Sequence, residues 1–136
     1  FLRFTVWDAR TFLECYNILL ERMESEENFP KEELVTVVNK VWEHYFPIGE
    51  EGDLAYYLGT IFAYLGHDSE ALRFFESSYE FYGASAEIYY EIALCYYNLQ
   101  KLEKAQDYTE SSLALDADFE ESRNLKNLIE EILGEQ

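Results

Sequence analysis

Basic residues are scarce in this chain. Its 136 residues carry 10 Lys and Arg against 28 Asp and Glu, a formal net charge of −18. Affinity for nucleic acid rests on neutralising phosphates with Lys and Arg, so this balance opposes a nucleic-acid partner, and equally an anionic membrane surface. Acidic side chains solvate outer faces; they can also select a basic partner. Proline and glycine are scarce too, at 2 and 6 residues, which argues for long regular elements. There is no strand-like alternation and no Asn-Gly hairpin signal, so the expected class is all-α. Cysteine is limited to Cys15 and Cys95. No C-x-x-C or zinc-finger spacing exists, and each falls within a helical pattern, where it reads as a small core residue. No apolar run approaches the roughly 18 residues of a membrane span. No signal peptide is visible, and the expected location is cytoplasmic, although a start at Phe1 rather than Met leaves room for a removed leader or an upstream domain. The two histidines, His44 and His67, fall in different hairpins, and neither has a second ligand or a Cys or Ser partner at a recognisable spacing. There is no phosphate loop, no H-E-x-x-H and no paired carboxylate in a recognisable context. The expectation is therefore a non-enzymatic chain with no catalytic residue, no metal and no cofactor.

What is present is apolar and periodic. Hydrophobic residues make up 49% of the chain and aromatics 18%, ample for the core of one domain, which at this length buries roughly two-thirds of the surface of its unfolded form. One pattern occurs twice. Leu58-Gly59-x2-Phe62 recurs as Ile92-Ala93-x2-Tyr96, a period of 34; Leu65 recurs as Leu99, Ala71 as Ala105 and Ser78 as Ser112 at the same spacing. A fixed period of this length marks stacked helical hairpins, here over 52–85 and 86–119. Ala55, Leu58, Gly59 and Phe62 share one helix face; Ala71, Phe75, Ser78 and Tyr79 share one on the next helix. Large members supply burial, and Gly59, Ala71, Ala93 and Ala105 let helix axes approach to about 8–10 Å. Gly66 and Asp68 make the turn of the first unit, with Asp68 placed to accept from free amides of the helix it precedes. Phe75, Tyr79, Tyr89 and Tyr96 are expected in the core.

These units resemble the tetratricopeptide repeat, whose signature is W-x2-L-G-x2-Y, then A-x3-F, then P. The first reads Ala55-x2-Leu58-Gly59-x2-Phe62, Ala71-x3-Phe75, Gly83; the second reads Tyr89-x2-Ile92-Ala93-x2-Tyr96, Ala105-x3-Thr109, Ala117. Both lack the family's proline, the first lacks the aromatic opener, and Thr109 stands where Phe is usual. The resemblance implies a right-handed α-α superhelix closed by a C-terminal capping helix over 120–136. In that last segment Asp118 is the expected N-cap, Leu125, Leu128, Ile129 and Ile132 the apolar stripe, and Gly134 the end. Upstream, Thr5-x-x-Asp8 resembles a capping box, Pro30 suits a first helical position, and Pro47 and Gly49 end a second helix. Residues 6–51 thus form a helical hairpin, either a degenerate first repeat (Ala9-x2-Phe12-Leu13-x2-Tyr16, then Leu34-x3-Val38) or a cap of unrelated packing. The whole chain, 1–136, reads as a single domain.

The first helix of each unit carries a second apolar face. In the family this face lines a concave groove that holds extended or helical peptides, and by matching position Tyr56, Tyr57, Thr60, Tyr64, Tyr90, Glu91, Leu94 and Tyr97 would line it here. Tyrosine suits recognition, with much contact area, few torsions to freeze and a hydroxyl. The competing reading is that the terminal helices cover these rings and close the groove. One branch of the family grips the C-terminal carboxylate of heat-shock chaperones with Lys and Asn; the matching positions hold Tyr56, Thr60 and Glu91, and between Glu43 and Gln100 the only Lys or Arg is Arg73. A neutral or basic segment with apolar anchors fits better. The expected function is a scaffold that binds a partner protein or peptide. The alternatives are an oligomerisation or regulatory segment of a larger, even enzymatic, protein, and a small acidic secretion-type chaperone. Exposed tyrosines also raise self-association into a homo-oligomer.

Overall fold

A computed structural model describes residues 51–135, together with Glu21, Glu32 and Thr36. Apart from Glu21, Glu32, Thr36 and Glu51, the hairpin expected over 6–51, with Cys15, His44 and both prolines, lies outside the described residues. Among those described there are five α-helices and no strand: α1 (Glu51–Tyr64), α2 (Asp68–Tyr82), α3 (Ala86–Asn98), α4 (Leu102–Leu115) and α5 (Glu120–Gly134). Each packs chiefly on its neighbours in the chain: α1 on α2, α2 on α3, α3 on α4 and α4 on α5, with a smaller contact of α5 on α3. The described part is all-helical, as composition and periodicity require.

The 34-residue period is visible in the backbone as well as in the side chains. The α1–α2 turn is closed by Leu65 N–H to Ile61 O, Gly66 to Ala63 and His67 to Phe62; the α3–α4 turn is closed by Leu99 to Cys95, Gln100 to Tyr97 and Lys101 to Tyr96. Each bond has its counterpart 34 positions on. Such bonds satisfy carbonyls left without partners at a helix end, and they need one residue in the left-handed region. Gly66 takes that conformation at φ 82°, and Gln100 takes it at φ 64°. Glycine has no Cβ to strain there, and glutamine has. Gln100→Gly is therefore expected to stabilise the fold by about 0.5–1 kcal/mol, read as a higher urea midpoint with unchanged slope.

Burial follows the repeat. Ala55, Leu58, Phe62, Ala71 and Phe75 are fully buried, and so are Ala93, Ala105 and Thr109 in the second unit. Leu58, Ile61, Phe62, Phe74 and Phe75 form a first core with Ile88, Ile92 and Cys95; Ala93, Ala105, Leu125 and Ile129 form a second. Fully burying one such large side chain contributes about 1.5–3 kcal/mol. The paired serines are buried too. Ser112 Oγ lies 2.7 Å from Ala86 O and 2.6 Å from Ser122 Oγ. A hydroxyl has one proton, and a carbonyl can only accept. Ser112 therefore donates to Ala86 and Ser122 donates to Ser112, which ties α4 to the first residue of α3 and to α5.

Several details depart from expectation. His67, not Asp68, is the N-cap of α2, and it makes no side-chain cap bond. Asp68 is the first helical residue and accepts from Asn98 Nδ2 at 3.1 Å; a contact from 30 positions away displaces the local cap. Phe119, not Asp118, is the N-cap of α5, and Asp118 lies 3.7 Å from Arg123. Leu128 is 43% exposed, while Leu133 packs on the second core, so the α5 stripe is rotated towards Leu125, Ile129 and Leu133.

Candidate functional site

The eight expected groove residues lie on α1 and α3, and the structure divides them. Tyr56 and Tyr57 meet edge to face, 5.7 Å between ring centroids. Tyr56 also packs on Phe75 at 5.8 Å, and its hydroxyl donates to Glu87 Oε1 at 2.8 Å. Together with Tyr82, Glu87 and Ile88 these two rings border a cavity of about 320 Å³. The helix geometry explains the reach: Glu87 is in the first turn of α3, which begins just after the α2–α3 connection and so faces the first turns of α1. Thr60 is half-buried, and its hydroxyl donates to Tyr57 O at 2.7 Å. Tyr64, near the end of the helix, is the most exposed of the eight at 48%.

On α3, Tyr90, Leu94 and Tyr97 are half-buried and pack on the core that holds Leu125 and Ile129 of α5. Tyr90 also meets Phe119, 5.8 Å between centroids. The second half of the expected groove is thus partly covered by the chain's own C-terminal helix. Coverage depends on the direction α5 takes after α4, and the 34-residue pattern does not encode that direction.

Glu91 is the electrostatic centre of this face. Burial, and then the charge of Glu87 one turn earlier, push its carboxyl up to about 7. Burial, the bond to Glu87 and the charges of Glu91 and Glu87 push the Tyr56 phenol up, and burial with Glu91 and Glu121 does the same to Tyr90. Among the described residues no Lys or Arg pairs with Glu87 or Glu91. Low dielectric and like charge act together here, so a positive group arriving from outside would meet an unbalanced field.

Other candidates are inert or misplaced. Burial first, and then Asp68, Glu91 and Glu76, push the Cys95 thiol up to about 12, so it stays protonated and unreactive at neutral pH. His67 serves the turn through its backbone. Among the described residues no three His, Cys, Asp or Glu side chains gather to hold a metal ion, and no helix is long and apolar enough to cross a membrane.

The tyrosines expected in the core are a correction. Tyr79 is 36% exposed, and Tyr89 and Tyr96 are half-buried. With Tyr108 they line a cleft of about 580 Å³ where α2, α3 and α4 meet. Their rings run in a chain: Tyr79 to Tyr89 at 5.7 Å, Tyr89 to Tyr108 at 5.9 Å, and Tyr108 stacked on Tyr96 at 5.5 Å. A phenol keeps its hydroxyl wet while its ring packs, so helical spacing alone does not separate core from cleft. A signal was present nonetheless. Tyr96 and Tyr108 are the counterparts of Phe62 and Phe74, which form the same stack at 5.2 Å and are fully buried. The exchange of Phe for Tyr at both positions marks the second unit as different. Comparison with models of protein families finds no match to this chain, and comparison with curated proteins finds none either.

Proposed function

We propose that the chain is a non-enzymatic protein-interaction scaffold of tetratricopeptide-repeat type, which receives a neutral or basic partner segment with apolar anchors on the α1/α3 face. The repeat reading is supported by the recurrence of buried positions and turn bonds at 34 residues. The observation that carries the functional reading is Glu91: a largely buried carboxyl held up to about 7 beside Glu87, on a face rich in tyrosine. Its position is unfavourable for stability, and a cation docked beside it would relieve both the burial and the repulsion. Tyr64, with nearly half its surface open, offers the apolar anchor point on α1.

Selection from a random peptide-display library tests this. Basic peptides carrying an aromatic or aliphatic anchor should be enriched. Tyr64→Ala and Glu91→Gln should each weaken the selected peptides about ten-fold, equivalent to about 1.4 kcal/mol, with helicity unchanged by circular dichroism. Enrichment of acidic peptides, or indifference to both substitutions, would overturn the assignment.

A further inference from the structure

The cleft between α2 and α4 is a separate feature. Tyr89, Ile92 and Tyr96 face it from α3, and these are not the α3 positions that carry Tyr90, Leu94 and Tyr97. Its wall is made of tyrosine rings, and its rim carries Glu76 and Glu80 from α2 and Asp107 from α4. Glu76 and Glu80 stand one turn apart on one helix, where like charges repel. The remaining charged group is Lys104, whose Nζ lies over the Tyr96 ring, 5.3 Å from its centroid. Among the described residues Lys104 forms no ion pair with any of the three carboxylates. The chain's own ammonium is therefore held by a ring face, in a cleft whose acids outnumber it three to one.

We infer that this cleft binds an arginine side chain of a basic partner polypeptide, and that Lys104 occupies the cation position when no partner is present. Four aromatic rings with a carboxylate on either side suit a guanidinium. Its planar, weakly hydrated surface stacks on phenol rings, and its edge donates in a fork to carboxylates, where an ammonium is a compact and strongly hydrated point. The volume suits one or two side chains rather than a long segment. The equivalent stack in the first unit, Phe62 on Phe74, is buried and carries no hydroxyl, so the open form is specific to the second unit. This site does not depend on the α1/α3 face and can stand if that reading fails.

The test is a nuclear magnetic resonance titration of the whole chain with blocked tripeptides Ala-Arg-Ala, Ala-Lys-Ala and Ala-Ala-Ala. The arginine peptide should shift the ring resonances of Tyr89, Tyr96 and Tyr108 saturably, displace the Lys104 side-chain resonances, and bind more tightly than the lysine peptide, with no response to the alanine peptide. Lys104→Gln should tighten arginine binding about five-fold by removing the resident cation. Glu76→Gln with Glu80→Gln should weaken it about ten-fold. Leu128→Ala, at an exposed position of α5 outside both faces, should leave it unchanged, and shifts at Tyr89, Tyr96 and Tyr108 without shifts at Tyr56 and Tyr64 separate this site from the other. Unaltered or weaker binding to the Lys104→Gln chain, or shifts confined to Tyr56 and Tyr64, would overturn the proposal.

Discussion

Gly59→Ala is expected to destabilise the fold by about 2 kcal/mol, although alanine is the better helix former. An alanine Cβ at this position would lie 2.7–2.9 Å from three ring carbons of Phe75. The ring has little room to yield: Phe75 is fully buried and meets Tyr56 at 5.8 Å. Forcing one carbon into such packing costs up to about 3 kcal/mol, and the helix preference of alanine returns about 1. The equivalent positions of the second unit carry the opposite pair of sizes, with Ala93 where the first has Gly59 and Thr109 where the first has Phe75; both are fully buried. The two exchanges belong together. Phe75→Thr alone should cost about 3–4 kcal/mol through the cavity it leaves. The double variant, which copies the second unit, should cost less than the two singles combined, by at least about 1.5 kcal/mol. Urea denaturation of the four proteins measures this; simple additivity would show that the two positions do not share one space.

That pair shows what was legible in the sequence. Period, helix count over 52–136 and the buried faces follow from spacing, because a helix repeats its geometry whatever fills it. Thr109 read as a departure from the tetratricopeptide signature, and its register opposite Ala93, as Phe75 stands opposite Gly59, casts it as one half of a volume exchange. Where a reading depended on distant partners it slipped. Asp68 beside free amides is a sound local cap, but Asn98 takes its carboxylate. Tyr79 and Phe75 sit on one helix face by periodicity, yet one is 36% exposed and the other fully buried. Tyrosine is compatible with both environments, so the pattern cannot choose between them. Of the groove, the choice of helix faces was legible; the partial cover of Tyr90, Leu94 and Tyr97 by α5 was not, since it depends on a packing direction. Glu91 was legible as a groove position by matching register, but the burial that lifts its carboxyl was not, since it arises from its neighbours in the fold.

Glu91→Gln should stabilise the chain while weakening the partner complex, and the gain should depend on pH. The Glu91 carboxyl rises from an ordinary 4.5 to about 7 in the fold, by burial first and then by the charge of Glu87. The sign follows from proton counting. Below pH 4.5 both folded and unfolded chains hold the proton, and the group is neutral to stability. Between 4.5 and about 7 the folded chain keeps a proton that the unfolded chain has released, so stability attributable to this group falls as pH rises. Above about 7 the folded chain carries the buried charge in full, at a cost of about 3 kcal/mol. Glutamine keeps the shape and never ionises. The stability difference between Glu91→Gln and the parent should therefore be near zero at pH 4 and grow to about 2–3 kcal/mol at pH 8, measured by urea denaturation at each pH. A difference that is flat across this range would mean that Glu91 ionises as freely in the fold as outside it. A cation bound beside Glu91 would lower its affinity for the proton, so association of a basic peptide near pH 7 should release protons from the parent and none from Glu91→Gln. Calorimetry in two buffers of different ionisation enthalpy reads that number directly. A gain in stability joined to a loss of proton release is the outcome expected if this carboxyl is kept buried for recognition rather than for folding.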